Sequence, residues 1–158
     1  MTKELKQQFT LKISQANKTG LVVILYEMML IYLEEATMAF EKEDTAGFRL
    51  SIKRARACLH ELMSSLHFEY AISGNLLQLY TFADRQMTKA DVRNCANELI
   101  AVKQMMEKLH AAYEEVSMQD TSEPLMANTQ TVYAGLTYGK NRLTESLADQ
   151  GGSRGFFA

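Results

Sequence analysis

The sequence predicts an all-α protein: an antiparallel four-helix bundle with an N-terminal arm and a C-terminal tail. Residues 1–119 contain no proline and only three glycines, Gly20, Gly47 and Gly74, which are spaced 27 residues apart. Glycine and proline are the strongest local breakers of helices, and apolar residues recur between these glycines at helical spacing. The last 39 residues hold the only proline and the other five glycines. The chain is therefore expected to divide into an arm (1–18), a bundle (19–119) and a partly disordered tail (120–158).

The arm and the first bundle helix differ in their apolar pattern. The arm has a sparse apolar series, which fits either a short helix or an extended segment: Leu5, Phe9, Leu11 and Ile13. The first bundle helix is predicted over residues 19–41. Its first three turns are apolar nearly all round, whereas a surface helix has a single apolar stripe. We therefore expect this helix to be covered on most sides, by the bundle or by a partner.

The other three helices are predicted from cap residues and apolar periodicity. The second begins at Asp44 or Thr45, both good N-cap residues, and continues to about residue 67. The third covers about residues 73–87. The fourth is expected to start at Thr88, because Thr88-Lys-Ala-Asp91 resembles a capping box, and to run to about residue 117. The short connections favour antiparallel neighbours.

Composition argues against nucleic-acid and membrane partners. The net charge is −2 for 158 residues, so bulk electrostatics favour neither. The longest apolar stretch, Leu21 to Leu33, has 13 residues and includes Glu27, whereas a membrane-spanning helix needs about 20. The first residues are polar, unlike a signal peptide, and Cys58 and Cys95 fit buried thiols in a reducing compartment. We therefore expect a cytoplasmic protein without membrane insertion.

Residues suited to catalysis or metal binding are sparse. Di-iron bundles use a Glu-x-x-His pair on each of two helices, and this chain has one such pair, Glu107 and His110. A histidine phosphotransfer bundle presents an exposed histidine among small neighbours, and neither His60 nor His67 has a neighbouring glycine. No glycine-rich phosphate loop follows a strand. The sequence thus predicts no metal, no cofactor and no enzymatic activity.

Between about Phe9 and Val116, the order and spacing of motifs resemble the flagellin export chaperones of the FliS family. The matching segments are Ile24 to Ala36 in the first helix, Glu41 to Asp44 in an acidic turn, His60 to Leu66 in the second helix and Leu76 to Tyr80 in the third. The chain departs from the family pattern by lacking a proline before the first helix. Tyr113 also stands where a tryptophan is expected, and the tail is longer.

The resemblance implies a cytoplasmic chaperone that binds the apolar C-terminal segment of flagellin. Such a protein keeps flagellin monomeric and delivers it to the flagellar type III export apparatus. Ten methionines agree with this role, because methionine suits grooves that accept apolar helices. The groove is expected mainly on the second, third and fourth helices: Ile52, Leu59, Leu62, Leu66, Leu76, Leu79, Tyr80, Leu99, Val102 and Met106. The arm residues expected to cap this groove are Phe9, Leu11 and Ile13.

Two other classes of protein stay open from the residues alone. A structural or adaptor bundle would use its excess apolar surface to form a homodimer and would have no flagellin client. A signalling phosphotransfer module would need a reactive histidine. A permanent dimer buries its apolar faces without a client, and a phosphotransfer protein loses function when its histidine is replaced, so experiment separates the three.

The tail has a pattern of its own. Residues 125–136 are similar to flagellin C-termini, with an apolar pair, an Ala/Asn/Gln stretch and a later leucine. One hypothesis is that residues 125–143 occupy the client groove as an internal mimic. A flexible tail or an accessory helix is the alternative.

Overall fold

The computed structural model describes residues 1–126, and these form five α-helices with no strand among them. The helices are α1 (Lys3–Gln15), α2 (Lys18–Glu41), α3 (Thr45–Ser64), α4 (Ala71–Arg93) and α5 (Asn97–Gln119). The prediction of an all-α protein is confirmed, although α3 ends a little earlier than expected. None of the helices in the described part of the chain is long and apolar enough to cross a membrane.

Helices α2 to α5 pack as a closed ring. α2 contacts α3 and α5, α4 contacts the same two helices, and α1 packs against α2 and no other helix. Fully burying one large apolar side chain contributes about 1.5–3 kcal/mol. The largest fully buried side chains inside the ring are Tyr26, Met29, Leu33, Phe48, Ile52, Leu59, Leu62, Tyr80, Met87, Leu99, Val102 and Met106. The core therefore belongs to α2–α5, and α1 is added from outside.

The evenly spaced glycines lie in the first turns of helices rather than between them. Gly20 and Gly47 are each the third residue of their helix. Their amides donate to the capping side chains of Asn17 (2.8 Å) and Asp44 (2.9 Å). A Cβ at Gly47 would collide with the Asp44 carboxylate. Gly74 lies in the first turn of α4. The even spacing thus marks helix starts.

The predicted boundary at Thr88 is wrong, because α4 continues through it to Arg93. The Thr88 hydroxyl donates to the carbonyl of Asp84 within the same helix, at 2.8 Å, and caps nothing. The helix ends instead at Asn94, whose φ of 50° is left-handed, a conformation that asparagine tolerates better than most residues. The amide of Cys95 then donates to the Ala90 carbonyl and closes the last turn.

The start of the tail folds back on the junction between α1 and α2. The Asn17 side-chain amide donates to the Asp120 carbonyl at 3.1 Å, and the Thr19 hydroxyl donates to the Asp120 carboxylate. The amide of Leu125 donates to the carbonyl of Ala16 at 3.1 Å. Residues 127–158 lie outside the described part of the chain. The hypothesis of an internal mimic falls almost wholly on them.

Candidate partner-binding surface

α1 lies lengthwise on α2 and runs in the opposite direction. Near the end of α1, Lys12 Nζ lies 2.6 Å from the Glu27 carboxylate. Near its start, the amino group of Met1 pairs with Glu35, and the Met1 sulfur lies 3.9 Å from the Tyr32 hydroxyl. At 3.6 residues per turn, these contacts seat α1 over roughly two turns of α2.

Phe9 anchors α1 on this surface. Its side chain is 5% exposed, and the Lys12 ammonium lies 5.5 Å from the ring centroid. Leu5 and Ile13, one turn to either side, are half-buried, so apolar side chains recur every four residues on the inner face of α1. Leu11, expected to cap a groove, is 60% exposed and lies on the outer side. Sequence reasoning did not assign Leu5 to the cap, although its spacing from Phe9 and Ile13 was the available signal.

The helix that α1 packs against carries buried apolar side chains outside the core of the ring. Val23 and Ile24 are 9% and 6% exposed, yet they lie outside the main core cluster. Ile31, two turns after Ile24, is half-buried and also outside that cluster. α1 is the only helix that packs on α2 from outside the ring, and its contacts with Glu27 and Glu35 place it along the side of α2 that carries Ile24 and Ile31. We call Val23, Ile24 and Ile31 the covered face.

Most residues of the expected groove lie inside the ring. Leu66 is half-buried, and Leu79 is 39% exposed. A partner that meets the folded ring therefore reaches only these two. The other eight are at most 5% exposed: Ile52, Leu59, Leu62, Leu76, Tyr80, Leu99, Val102 and Met106. The sequence did not assign the covered face as a binding surface, although the first turns of α2, apolar on nearly all sides, indicated that such a surface exists.

Two tyrosines form a polar contact in the centre of the ring. The hydroxyls of Tyr26 and Tyr80 hydrogen-bond to each other, and the two residues are 0% and 1% exposed. The ring of Tyr113 lies 5.6 Å from that of Tyr26, measured between centroids. Burial raises the pKa of both buried phenols, that of Tyr80 to about 12. Since α2 and α4 are not neighbours in the ring, this hydrogen bond crosses the centre of the ring and fixes the axial position of α2 relative to α4.

Ion pairs connect neighbouring helices around the ring. Arg56 Nε lies 2.8 Å from the Asp84 carboxylate, and His60 Nε2 lies 3.1 Å from the same group. The hydrogen bonds from the Arg56 guanidinium lower the pKa of Asp84. On the opposite side, Lys103 pairs with Glu34, and this contact raises the pKa of the lysine. These pairs join α3 to α4 and α2 to α5 and involve no residue of α1.

The described residues contain no group of three or more metal-ligating side chains. His110 lies beside Glu27, at 4.0 Å, and is half-buried. Both cysteines are free thiols, and burial raises the pKa of Cys58 to about 11, so this thiol is a poor nucleophile at neutral pH. Cys95 is half-buried, more exposed than the sequence suggested.

A helix laid over an apolar strip, outside the core of the ring, is typical of one class of protein, the small helical modules that bind other proteins through an apolar face. The family model of the flagellar protein FliS matches residues 1–120, which include all five helices. The chain therefore belongs to the FliS family of flagellar export chaperones, a family of chaperones and not of enzymes. No curated protein matches the sequence.

Proposed function

We propose that this chain binds the apolar C-terminal segment of flagellin in the cytoplasm, keeps flagellin monomeric and delivers it to the flagellar type III export apparatus. The proposed docking surface is the covered face of α2, and α1 is the segment that leaves it when the client arrives. One observation carries the proposal: Val23 and Ile24 are buried outside the main core cluster, on the helix against which α1 packs. Membership of the FliS family supports the choice of client.

An amphipathic helix is the occupant that the covered face fits. α1 is itself a helix of 13 residues whose inward side chains, Leu5, Phe9 and Ile13, are four residues apart. A client helix with apolar anchors at a similar spacing would bury comparable area in the same place. Glu27 and Glu35 flank the strip and accept cationic groups from α1. Basic residues at matching positions of the client would replace these ion pairs.

We also infer that the ring is an antiparallel four-helix bundle. Along α2, Glu27 lies 4.0 Å from His110 of α5. Seven residues later, Glu34 pairs with Lys103, seven residues earlier on α5. Residue numbers thus rise along one helix as they fall along the other, which supports opposite directions for these neighbours.

The groove predicted from the sequence enters this proposal in part. Leu66 and Leu79 are retained as secondary client contacts, because a client can reach them on the folded ring. The eight core residues of that set are proposed to act indirectly, by holding α2 in place. A charged residue at Leu79 should weaken client capture less than one on the covered face.

The test is co-purification with cognate flagellin, either intact or lacking about its last 40 residues, a length of three or more average helices. Ile24→Asp should abolish capture of intact flagellin, because a carboxylate on the covered face cannot be buried by a client without a large desolvation penalty. Its melting temperature should change by no more than about 8 °C, since Ile24 lies outside the core. Leu11→Asp, on the exposed side of α1, is the matched control and should capture flagellin normally.

Equal capture by Ile24→Asp and the wild-type chain would refute the docking surface. Equal capture of truncated flagellin would refute the choice of segment. If the chain captures no flagellin and sediments as a dimer at every accessible concentration, the homodimeric adaptor replaces the chaperone.

A further inference from the structure

Three exposed apolar side chains cluster where α3 passes to α4. Phe68, Tyr70 and Ile72 are 65%, 62% and 60% exposed, and we call them the end patch. Tyr70 and Ile72 also line a cavity of about 160 Å³ that reaches Val22 of α2 and Tyr113 of α5. Single exposed apolar residues are normal on a protein surface. Three of them within five residues, beside a cavity, form a surface suited to an apolar segment.

The described chain ends beside this patch. The amide of Leu125 donates to the carbonyl of Ala16 at 3.1 Å. Two residues after Ala16, Lys18 Nζ lies 2.5 Å from Nε2 of His67, the residue that precedes Phe68. Leu125 and the patch are thus connected by two residues, the Lys18 side chain and the His67 side chain, a path of at most about 25 Å.

The segment that follows Leu125 matches the patch in chemistry. Residues 125–139 carry no charge, so placing them on an apolar surface desolvates no ionised group. Their large apolar residues after Met126 are Val132, Tyr133, Leu136 and Tyr138. Tyr133 is eight residues from Leu125, which corresponds to a reach of about 26 Å for extended chain. The tail is therefore long enough to bring these side chains to the patch.

The geometry points to a docking site for the chain's own tail, in which residues 127–139 cover the end patch chiefly through Tyr133 and Leu136. A short tether gives an effective concentration on the order of millimolar, so weak intrinsic affinity is enough to keep the patch covered. A second copy of the chain lacks this advantage at ordinary concentrations. The cavity beside the patch is also lined by Leu66, which the proposed function keeps as a secondary client contact. Tail docking therefore shares that one residue with the proposed client surface and differs from a mimic seated on the covered face.

The labelling rate of a cysteine inside the patch tests this inference. Glu69→Cys places the probe between Phe68 and Tyr70 and removes no apolar side chain. The background is Cys95→Ser, because Cys58 is already buried. Maleimide labelling is compared between the full chain and a chain that ends at Met126. A tether that covers the patch 70–90% of the time should make the truncated chain label about 3–10 times faster.

Matched variants separate tail docking from other causes. Tyr133→Asp combined with Leu136→Asp in the full chain should label as fast as the truncated chain, whereas Ser153→Asp should label like the wild type. Lys53→Cys, exposed in the middle of α3, should label equally in both lengths. Equal rates for Glu69→Cys in the two lengths would overturn the inference. Protection that grows with protein concentration would assign the patch to a second copy, and protection only on addition of the flagellin segment would assign it to the client; both outcomes overturn tail docking and leave the proposed chaperone role standing.

Discussion

Replacing Phe9 by alanine should tighten client binding, because it weakens the packing of α1 on the proposed docking surface. Phe9 is 5% exposed and is the one buried residue of α1. α1 packs on α2 alone, so the substitution leaves the core of the ring intact. Phe9→Ala therefore acts on one equilibrium, the docking of α1 on the covered face.

The size of the effect follows from the burial of this side chain. Burying a phenylalanine fully contributes about 1.5–3 kcal/mol, and alanine keeps only one methyl group, so about 2 kcal/mol of docking free energy should be lost. At 1.4 kcal/mol per tenfold, the docking equilibrium shifts about 30-fold. Under the proposed function the client binds only molecules whose α1 has been released, so its apparent Kd should fall by up to the same factor.

The assay is a titration of a labelled peptide, the C-terminal segment of flagellin, followed by fluorescence anisotropy. Leu11→Ala is the matched control, because Leu11 belongs to the same helix but is 60% exposed, and it should bind like the wild type. Weaker binding by Phe9→Ala would mean that the client contacts Phe9 directly. An unchanged Kd would mean that α1 does not compete, and either result refutes the reasoning.

Other substitutions probe the ring itself, and urea unfolding measures each of them. Asp84→Asn should lower the free energy of unfolding by about 0.5–1 kcal/mol at pH 7, since the Arg56 pair is partly exposed. The pKa of Asp84 is lowered in the folded state, so the ionised carboxylate adds to the free energy of unfolding above the ordinary pKa of about 4, and this contribution is lost as the pH falls through the lowered pKa. If Asp84→Asn were still less stable than the wild type in acid, this reasoning would be contradicted. Asn94→Ala should cost about 1–2 kcal/mol and Asn94→Gly much less, because of the left-handed φ; equal costs would exclude strain as the cause. Tyr80→Phe should cost about 1–3 kcal/mol by leaving the Tyr26 hydroxyl unpaired, and the double variant Tyr26→Phe, Tyr80→Phe should cost less than the sum of the two single changes; additive costs would mean that the two hydroxyls are not coupled.

Local signals in the sequence predicted most of the helices but not every boundary. The capping residue Asp44 starts α3 as expected, because its carboxylate has a free amide to accept from at Gly47. Thr88 has the same capacity, but helix α4 continues through it and its hydroxyl bonds within the helix. Whether a threonine caps a helix depends on what the flanking turns pack against, and the local sequence does not specify those tertiary contacts.

The division between core and binding surface was the part that the sequence could not provide. Leu59 and Leu79 have the same side chain and the same periodicity, yet one is fully buried and the other 39% exposed, because only one faces the centre of the ring. Apolar periodicity identifies a face and not its neighbour. The all-round apolar start of α2 did indicate that a cover was needed, and α1 provides it.

The attachment of the tail at Ala16 joins the two terminal segments of the described chain. Ala16 ends α1, and its carbonyl accepts from Leu125, while the neighbouring Asn17 donates to Asp120. If α1 lifts by a hinge at this junction, both hydrogen bonds are disturbed. The dissociation of α1 and the release of residues 120–125 are therefore energetically coupled. Thermodynamic linkage makes that coupling reciprocal. A change that holds residues 120–125 in place raises the docking equilibrium constant of α1, and docked α1 raises the attachment constant of residues 120–125 by the same factor. A change at residue 125 is therefore expected to alter how firmly Phe9 docks on α2.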